Sequence, residues 1–287
     1  MGDKMNIRTD LALERAEIAK KSIDGVTIDE EISGEVTVTR MEILNDGASR
    51  RLGKPTGKYI TLEVPRFTKN AGLDKAAVGC MARELKRVLP RGIRSVLVAG
   101  LGNTEITPDS LGPRVANRII ATRHISRELG RQLGLGGLMP VSVLAPGVLG
   151  QTGIETGEII LGTVDRISPS AVIVIDALAA RSLERLGCTV QMCDTGISPG
   201  AGVGNSRMEI NEKSLGVPVI AIGVPTVVDI KTMLSDAGGS VSGDIPDMIV
   251  TPKEIDMMID RAAEMIAVSI NLCLQKSLSI EDIMGLI

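Results

Sequence analysis

Four short apolar runs rich in Val and Ile, separated by segments of helical periodicity, constrain this fold more than any other feature of the sequence. They cover residues 95–99, 141–145, 171–175 and 217–224. Continuous apolar runs of this length are typical of parallel strands that are buried on both faces. The segments between them that we predict to be crossover helices are 114–133, 155–164 and 179–186. The sequence therefore predicts an α/β fold with a mixed, mostly parallel sheet flanked by helices.

The remaining segments extend this sheet and cover it. Residues 34–43 and 58–64 alternate apolar and polar side chains, which predicts an antiparallel pair at one sheet edge. Further helices are predicted by periodicity within 8–16, 74–89 and 251–276. Residues 236–247 are rich in glycine and serine, which indicates a flexible loop. With no repeat or composition break along the chain, we expect one α/β domain.

Composition excludes several functional classes. The net charge of −3 argues against the basic surface that direct nucleic-acid binding requires. The chain has one Tyr, one Phe and no Trp, so platforms that stack sugars or bases are not expected. The core must then consist of Ile, Leu, Val, Met and Ala.

The sequence also suggests where the protein resides. No apolar stretch reaches the roughly 18 residues that a membrane helix needs, so we expect a cytoplasmic protein without a membrane partner. The four cysteines form no Cys-x-x-Cys pair and no compact disulfide spacing. They are interpreted as reduced thiols.

Several aspartates follow predicted strands, where open α/β sheets form their binding sites. Asp109 lies in the loop after the run 95–99, and Asp176 directly follows the run 171–175. Asp194 and Asp229 also lie at or just after predicted strand ends. Two carboxylates brought close together repel each other when both are ionised, so they share one proton. The ionised group can then accept a proton from water, while the protonated group donates to a carbonyl oxygen. The alternative for each aspartate taken singly is a helix cap.

Three glycine-rich loops follow predicted strands, and they suggest that backbone comes close to an extended peptide. The candidate binding residues in them are Gly102, Asn103, Gly147, Gly153, Gly200, Gly202 and Gly204. A dinucleotide site is disfavoured, because the first loop lacks the third glycine of the Gly-x-Gly-x-x-Gly pattern and has Glu105 there. The alternative for these glycines is tight turns and close packing of helices on strands.

His124 is the only histidine, so a Ser-His-Asp or Cys-His apparatus would have to use it alone. A zinc site with one histidine and scattered cysteines is equally hard to form. Glu105, His124, Asp194 and Asp229 are kept as possible supporting residues for the carboxylate pair. The alternative for His124 is a simply packed or solvated side chain.

These motifs resemble, over most of the chain, those of the germination proteases of spore-forming bacteria, a family of atypical aspartic endopeptidases. The matching segments include 98–113 with Thr107-Pro108-Asp109, 175–182 with Ile175-Asp176-Ala177, 199–205, and 218–229. The resemblance implies that Asp109 and Asp176 are the catalytic pair, that no cofactor is needed, and that the α/β fold is similar to that of the hydrogenase maturation peptidases. It also implies a homotetramer that degrades small acid-soluble spore proteins in the forespore or spore core.

The resemblance further implies a self-processing zymogen. Members cut themselves where an acidic residue is followed by an apolar residue, Ala and a later Glu, which residues 10–14 match. We therefore predict cleavage between Asp10 and Leu11, which divides the chain into a propeptide, 1–10, and a peptidase domain, 11–287. The familiar members also have a longer insertion between residues 229 and 251.

Two alternatives from other classes stay open. The first is a metal-dependent maturation-type peptidase of the same fold, with Glu105, Asp109, Asp176 or His124 as ligands. The second is a binding module in which the glycine loops hold an extended peptide without cutting it. Chelation distinguishes the first from an aspartic peptidase, and replacement of Asp109 distinguishes the second.

Overall fold

A nine-stranded mixed sheet with helices on both faces forms the centre of the protein. The computed structural model describes residues 9–18, 23–69, 72–125, 127–132, 136–200, 207–230, 232–233 and 248–287. The strands are β1 (Val26–Ser33), β2 (Val36–Ile43), β3 (Gly57–Glu63), β4 (Val96–Gly100), β5 (Val141–Leu144), β6 (Ala171–Ala180), β7 (Thr189–Cys193), β8 (Val219–Asp229) and β9 (Ile249–Val250). The α-helices are α1 (Ala12–Ile18), α2 (Asp46–Leu52), α3 (Lys75–Val88), α4 (Leu111–Ala116), α5 (Arg127–Gln132), α6 (Leu149–Thr152), α7 (Thr156–Ile167), α8 (Glu212–Leu215), α9 (Ile255–Leu274) and α10 (Ile280–Met284).

The sheet has two halves of different strand direction. Its order is β1-β2-β3-β7-β8-β6-β4-β5, and β9 pairs with β8. Strands β5, β4, β6 and β8 are parallel to one another and form the parallel half. Strands β1, β2, β3 and β7 are antiparallel and form the antiparallel half, which joins the other through β7 and β8. The predicted α/β class with a mixed sheet is confirmed.

Alternate residues of the central strands pack against different helical layers. Val98 and Ile173 face a cluster that includes side chains of α3 and α9, whereas Ala99 and Val172 face a cluster that includes α1, α2 and α7. Both faces of the parallel half are therefore covered, which is why its strands are continuously apolar in sequence.

The four predicted parallel strands and the predicted antiparallel pair are present, as are the helices α1, α3, α7 and α9. Strand β1 was not predicted, because it is mostly polar, with Asp29, Glu30 and Glu31 at its centre. It lies at the sheet edge with its side chains largely exposed, where alternation carries no signal.

The predicted single helix over 114–133 is wrong, because only its two ends are helical: α4 ends at Ala116, and α5 is Arg127–Gln132. Between them, from Ile120 onwards, several N–H groups find partners outside a helix. The Ile120 N–H donates to Oδ1 of Asn271, and the N–H groups of Thr122 and Arg123 donate to the Val141 carbonyl. Tertiary hydrogen bonds thus outweigh the helical periodicity of this segment.

The predicted helix over 179–186 is also wrong. Strand β6 continues to Ala180, because Ala179 and Ala180 pair with Val227 and Val228 of β8. Only a short 3-10 helix, Leu183–Arg185, follows. Asp176 therefore lies inside β6 and not at its end, with Gly223 as its β8 partner.

Three further sequence predictions concern mobility, cysteines and membranes. The predicted flexible loop 236–247 lies outside the described residues. All four cysteines are free thiols, as expected. Within the described ranges, each helix is too short or insufficiently apolar to span a bilayer.

Candidate active site

A cavity of about 930 Å³ lies beside the carboxyl ends of the parallel strands β4 and β6. Asp109 and Asp176 line it from the parallel half, and Lys54 and Gln191 line it from the antiparallel half. Arg207 also contributes to its wall. The structure therefore brings the two predicted carboxylates into one cavity that is large enough for a peptide segment.

Close packing of glycines brings the loop of Asp109 onto β6. A Cβ atom at Gly112 would lie 2.2 Å from the Leu101 carbonyl oxygen and 2.6 Å from that of Ile175. A Cβ atom at Gly100 would lie 2.1 Å from the Gly112 carbonyl oxygen. The Leu101 N–H donates to the Ile175 carbonyl at 2.8 Å, one residue before Asp176. Only glycine permits this approach, so these positions set the distance between the two aspartates.

Asp109 ends the short 3-10 helix Thr107–Asp109 and is partly exposed to the cavity. Its Oδ2 atom accepts a hydrogen bond from the Asn103 N–H at 2.9 Å. Gly102, with φ +113°, allows the loop to turn back so that the Asn103 N–H also reaches the Asp109 carbonyl at 3.1 Å. Burial raises the pKa of Asp109, and this effect is opposed by the Asn103 N–H and by the charge of Arg207.

Asp176 is more deeply buried, with 6% of its surface exposed. Its Oδ1 atom accepts from the Ala177 N–H at 2.9 Å. Burial raises the pKa of Asp176 well above its usual value, and the negative charges of Asp109 and Asp10 raise it further. Both pKa values are raised, that of Asp176 further than that of Asp109, so Asp176 is the carboxyl group of the pair that more strongly favours a proton.

Residues 9–14, here called the docked segment, run along β6 and β7 and enter the same cavity. The Asp10 N–H donates to the Ala179 carbonyl at 2.9 Å, and the Ala179 N–H donates to the Asp10 carboxylate at 2.8 Å. The Ala12 N–H donates to Oε1 of Gln191 at 2.6 Å. Residues 9–11 precede α1, and Asp10 bonds to β6 as a bound peptide would, whereas residues 12–14 already form the first turn of α1.

The side chains of the docked segment are also held. Leu11 is fully buried among Leu178, Leu186 and Val228. The Glu14 carboxylate accepts from the N–H groups of Arg181 at 2.8 Å and Ser182 at 3.0 Å. It also accepts from the Thr9 hydroxyl and lies 3.6 Å from the Arg185 guanidinium. Leu11 and Glu14, the apolar residue and the second acidic residue of the predicted cleavage sequence, are therefore both held by specific contacts.

The structure places the four possible supporting residues outside the cavity lining. Glu105 and His124 are exposed. Asp194 accepts from the Lys58 N–H at 2.8 Å and so fixes the start of β3. Asp229 accepts from the Thr232 N–H at 3.0 Å and supports the turn after β8.

The candidate loop residues divide into three groups. Gly102 and Gly200 line the cavity, and Asn103 bonds to Asp109 from just outside it. Gly147 and Gly153 have positive φ and serve their turns outside the lining, Gly153 as the C-cap of α6. Gly202 and Gly204 lie outside the described residues.

Among the polar cavity residues that sequence reasoning missed are Lys54, Gln191 and Arg207. Lys54 follows the left-handed C-cap Gly53 of α2, and Gln191 lies in the buried strand β7. One sequence feature could have identified Gln191 as a candidate site residue: it is a polar residue within an apolar run. No such feature marks Lys54 or Arg207. In the part of the chain that the structure describes, no three His, Cys, Asp or Glu side chains converge to hold a metal ion.

Comparisons with known proteins agree on one family. A family model described as germination protease matches residues 4–243. The germination protease of Clostridium perfringens strain ATCC 13124 is 42% identical over 320 aligned positions, which cover 97% of this chain and 98% of that protein. The germination protease of Caldanaerobacter subterraneus subsp. tengcongensis is 43% identical, with 96% of each chain covered. The alignment of 320 positions exceeds the 287 residues of this chain, so the clostridial relative contains residues that this chain lacks.

Among solved structures, the [NiFe] hydrogenase maturation protease HycI from Thermococcus kodakarensis KOD1 is similar, with a TM-score of 0.38 and 20% sequence identity. The match covers 65% of this chain and 97% of that chain. A likeness of this size supports no conclusion about the site.

Proposed function

This chain belongs to the germination protease family, and from that premise we propose that it is an endopeptidase in which Asp109 and Asp176 activate water without a metal ion. The observation that carries the proposal is the meeting of these two carboxylates, both with raised pKa values, in one cavity that also contains a docked peptide segment. The family supports a peptidase that acts in spore germination.

The two environments suggest how the proton is shared. Asp176 is the more buried and holds the proton, whereas Asp109 is ionised and hydrogen-bonded to the Asn103 N–H. Asp109 takes a proton from a water molecule while the oxygen of that water attacks the peptide carbonyl carbon. Asp176 donates its own proton to the carbonyl oxygen. When the tetrahedral intermediate collapses, Asp109 passes its proton to the leaving nitrogen and the C–N bond breaks. The carbonyl forms again as its proton returns to Asp176.

We further propose that the protein is a zymogen that cuts its own chain between Asp10 and Leu11. The docked segment supports this, because Asp10 lines the cavity of the two aspartates and its charge acts on Asp176. Since the segment is docked in its own chain, the cut is intramolecular. Its rate is then independent of protein concentration.

The proposed substrates are small acid-soluble spore proteins, in the forespore or spore core. Support comes from the family and from the matching acidic, apolar and alanine pattern of residues 10–14.

The homotetramer also remains a proposal. It is supported by exposed apolar side chains on the edge strand β1, where Ile28 is 54% and Ile32 is 72% exposed.

Intact-mass spectrometry after a shift to mildly acidic pH tests the catalytic proposal. We expect the wild type to lose residues 1–10, with Asp109→Asn and Asp176→Asn slower by about 10⁴-fold or more, because each removes one of two groups that act as a unit. The matched control is Asp165→Asn, an exposed residue of α7, which should process at the wild-type rate.

Each other outcome has a definite meaning. Processing that a strong chelator abolishes would favour the metal-dependent peptidase. Normal processing in either aspartate variant would refute the pair. A wild type whose mass never changes would refute the self-processing zymogen.

A further inference from the structure

The carbonyl oxygen of Asp10 belongs to the peptide bond between Asp10 and Leu11, and two side chains of the antiparallel half donate to it. Lys54 Nζ lies 2.8 Å from this oxygen, and Gln191 Nε2 lies 3.3 Å from it. The other atom of the same amide, Gln191 Oε1, accepts from the Ala12 N–H at 2.6 Å. That bond fixes the orientation of the Gln191 amide, because only its NH₂ end is then free to face the Asp10 carbonyl.

From this geometry we propose that Lys54 is a further catalytic residue, a cationic donor that polarises the carbonyl of the peptide bond being cut, and that Gln191 assists it. The inference rests on the proposed cut between Asp10 and Leu11. As water attacks, negative charge grows on this oxygen, and a charged donor placed beforehand stabilises the transition state more than the ground state.

The position of Lys54 is set by the backbone around it. Gly53 ends α2 in the left-handed region, and the N–H groups of Gly53 and Lys54 both donate to the Ser49 carbonyl, at 2.8 and 3.3 Å. The following Pro55 carbonyl accepts from the Tyr59 hydroxyl at 2.8 Å. These bonds fix the backbone of Lys54, and its Nζ atom already lies on the Asp10 carbonyl before the reaction begins.

The surroundings of Lys54 match this role. Burial lowers the pKa of Lys54, while the charge of Asp10 and the Cys193 thiol favour its protonated form and Arg15 opposes it. An amine with a lowered pKa hydrogen-bonds strongly when protonated, and it shares the cavity with Asp109 and Asp176.

The self-processing rate after a shift to mildly acidic pH is the first test, with intact mass as the readout. We expect Lys54→Met to process about 10²- to 10³-fold more slowly than the wild type. Lys54→Arg should recover part of the loss, because it retains a charged donor. Lys58→Met is the matched control, since this exposed lysine lies in β3 outside the cavity lining, and it should process normally.

A structural readout separates polarisation from a loss of docking. Asp is followed by Leu once in the chain, at positions 10 and 11. Protein labelled with ¹³C at Asp carbonyls and ¹⁵N at Leu therefore gives one NMR correlation for this peptide bond. In the uncut Asp109→Asn background, adding Lys54→Met should move the carbonyl ¹³C resonance upfield. Raising the pH should move it likewise as Lys54 deprotonates, with no such step in Lys54→Arg.

Two outcomes would overturn the role of Lys54. One is processing of Lys54→Met at the wild-type rate, and the other is an unchanged carbonyl resonance in the double variant. Continued processing by the aspartate variants, or a wild type that does not cut itself, would instead refute the proposed function. In that case, the carbonyl resonance of a chain that stays uncut would still test the contact of Lys54 with the Asp10 carbonyl, independently of self-processing.

Discussion

The parallel half of the sheet carries both carboxylates of the cavity, whereas the antiparallel half presents an amine and an amide to the backbone of the docked segment. Asp109 and Asp176 are positioned by glycine contacts and strand pairing. Lys54 and Gln191 reach the Asp10 carbonyl from a loop and from β7. The two halves meet at β7 and β8, and the cavity at that joint is lined by carboxylates from one half and by hydrogen-bond donors from the other.

The two halves differ in how tightly they fix the positions of their cavity residues. In the parallel half, backbone packs against backbone, and there is little room for adjustment. In the antiparallel half, long side chains span the distance to the peptide, so a conservative replacement can still reach it. Substitutions in the two halves should therefore have different consequences.

The largest of these effects is expected at Gly112 in the parallel half. In Gly112→Ala, the new Cβ would meet backbone atoms of Leu101 and Ile175, which cannot move independently of their strands. We expect a loss of about 1–3 kcal/mol in the free energy of unfolding. Self-processing should slow by roughly 10²-fold, because the Asp109 loop is displaced.

Gly162→Ala in α7 is the control for Gly112, since apart from the adjacent residues and the backbone of its own helix no atom lies within 4 Å of the new Cβ. It should process normally and gain up to about 1 kcal/mol from its helical position. Urea unfolding and intact mass measure both quantities. Wild-type processing in Gly112→Ala would show that the parallel half tolerates backbone shifts, which would remove the distinction between the halves.

A smaller effect is expected where the docked segment binds the turn after β6. Glu14→Gln replaces a buried carboxylate that accepts from the N–H groups of Arg181 and Ser182. The loss of about 1–1.5 kcal/mol from these charge-assisted bonds should slow self-processing roughly tenfold. An unchanged rate would mean that the contacts of Asp10 and Leu11 dock the segment without the Glu14 carboxylate.

Glu17→Gln serves as the control for Glu14. The Glu17 carboxylate pairs with the same Arg185, at 2.6 Å, but its side chain is 51% exposed. An exposed ion pair is worth at most about 1 kcal/mol, so the processing rate should change by a few-fold at most. Equal losses in both variants would indicate that the charge of Arg185, and not the buried hydrogen bonds, holds the segment.

A further effect concerns the pH dependence of stability in the parallel half. Because the folded protein raises the pKa of Asp176, it binds more protons than the unfolded chain at pH values between the two pKa values. Stability therefore falls as pH rises from about 4 towards the raised pKa, at about 1.4 kcal/mol for each unit of elevation. Asp176→Asn should remove this fall and be the more stable protein at neutral pH.

Thermal unfolding over that pH range measures this linkage, with Asp109→Asn compared with Asp109→Asn/Asp176→Asn so that both chains stay uncut. Burial still raises the pKa of Asp176 in this background. The same pH dependence of stability in both chains would contradict the raised pKa of Asp176, and with it the assignment of the shared proton to that residue.

Sequence patterns predicted the parallel half well, because strands buried on both faces must be apolar along their length. They failed where tertiary partners replaced local ones. Residues 120–123 look helical, but Asn271 and Val141 accept their N–H groups. Residues 179 and 180 look like a helix start, but they extend β6 against β8. Edge strand β1 gave no signal, since its exposed side chains need no alternation.

The same contrast applies to the site. The sequence by itself determined the family and the α/β class and predicted the pairing of Asp109 with Asp176, because glycines, aspartates and apolar runs occupy fixed places in the motifs. Only the tertiary structure decided that Lys54 and Gln191 lie against the Asp10 carbonyl and that Glu105 and His124 lie outside the cavity. Contacts such as that between Gln191 and Asp10, 181 positions apart, depend on strand order, which no local pattern specifies.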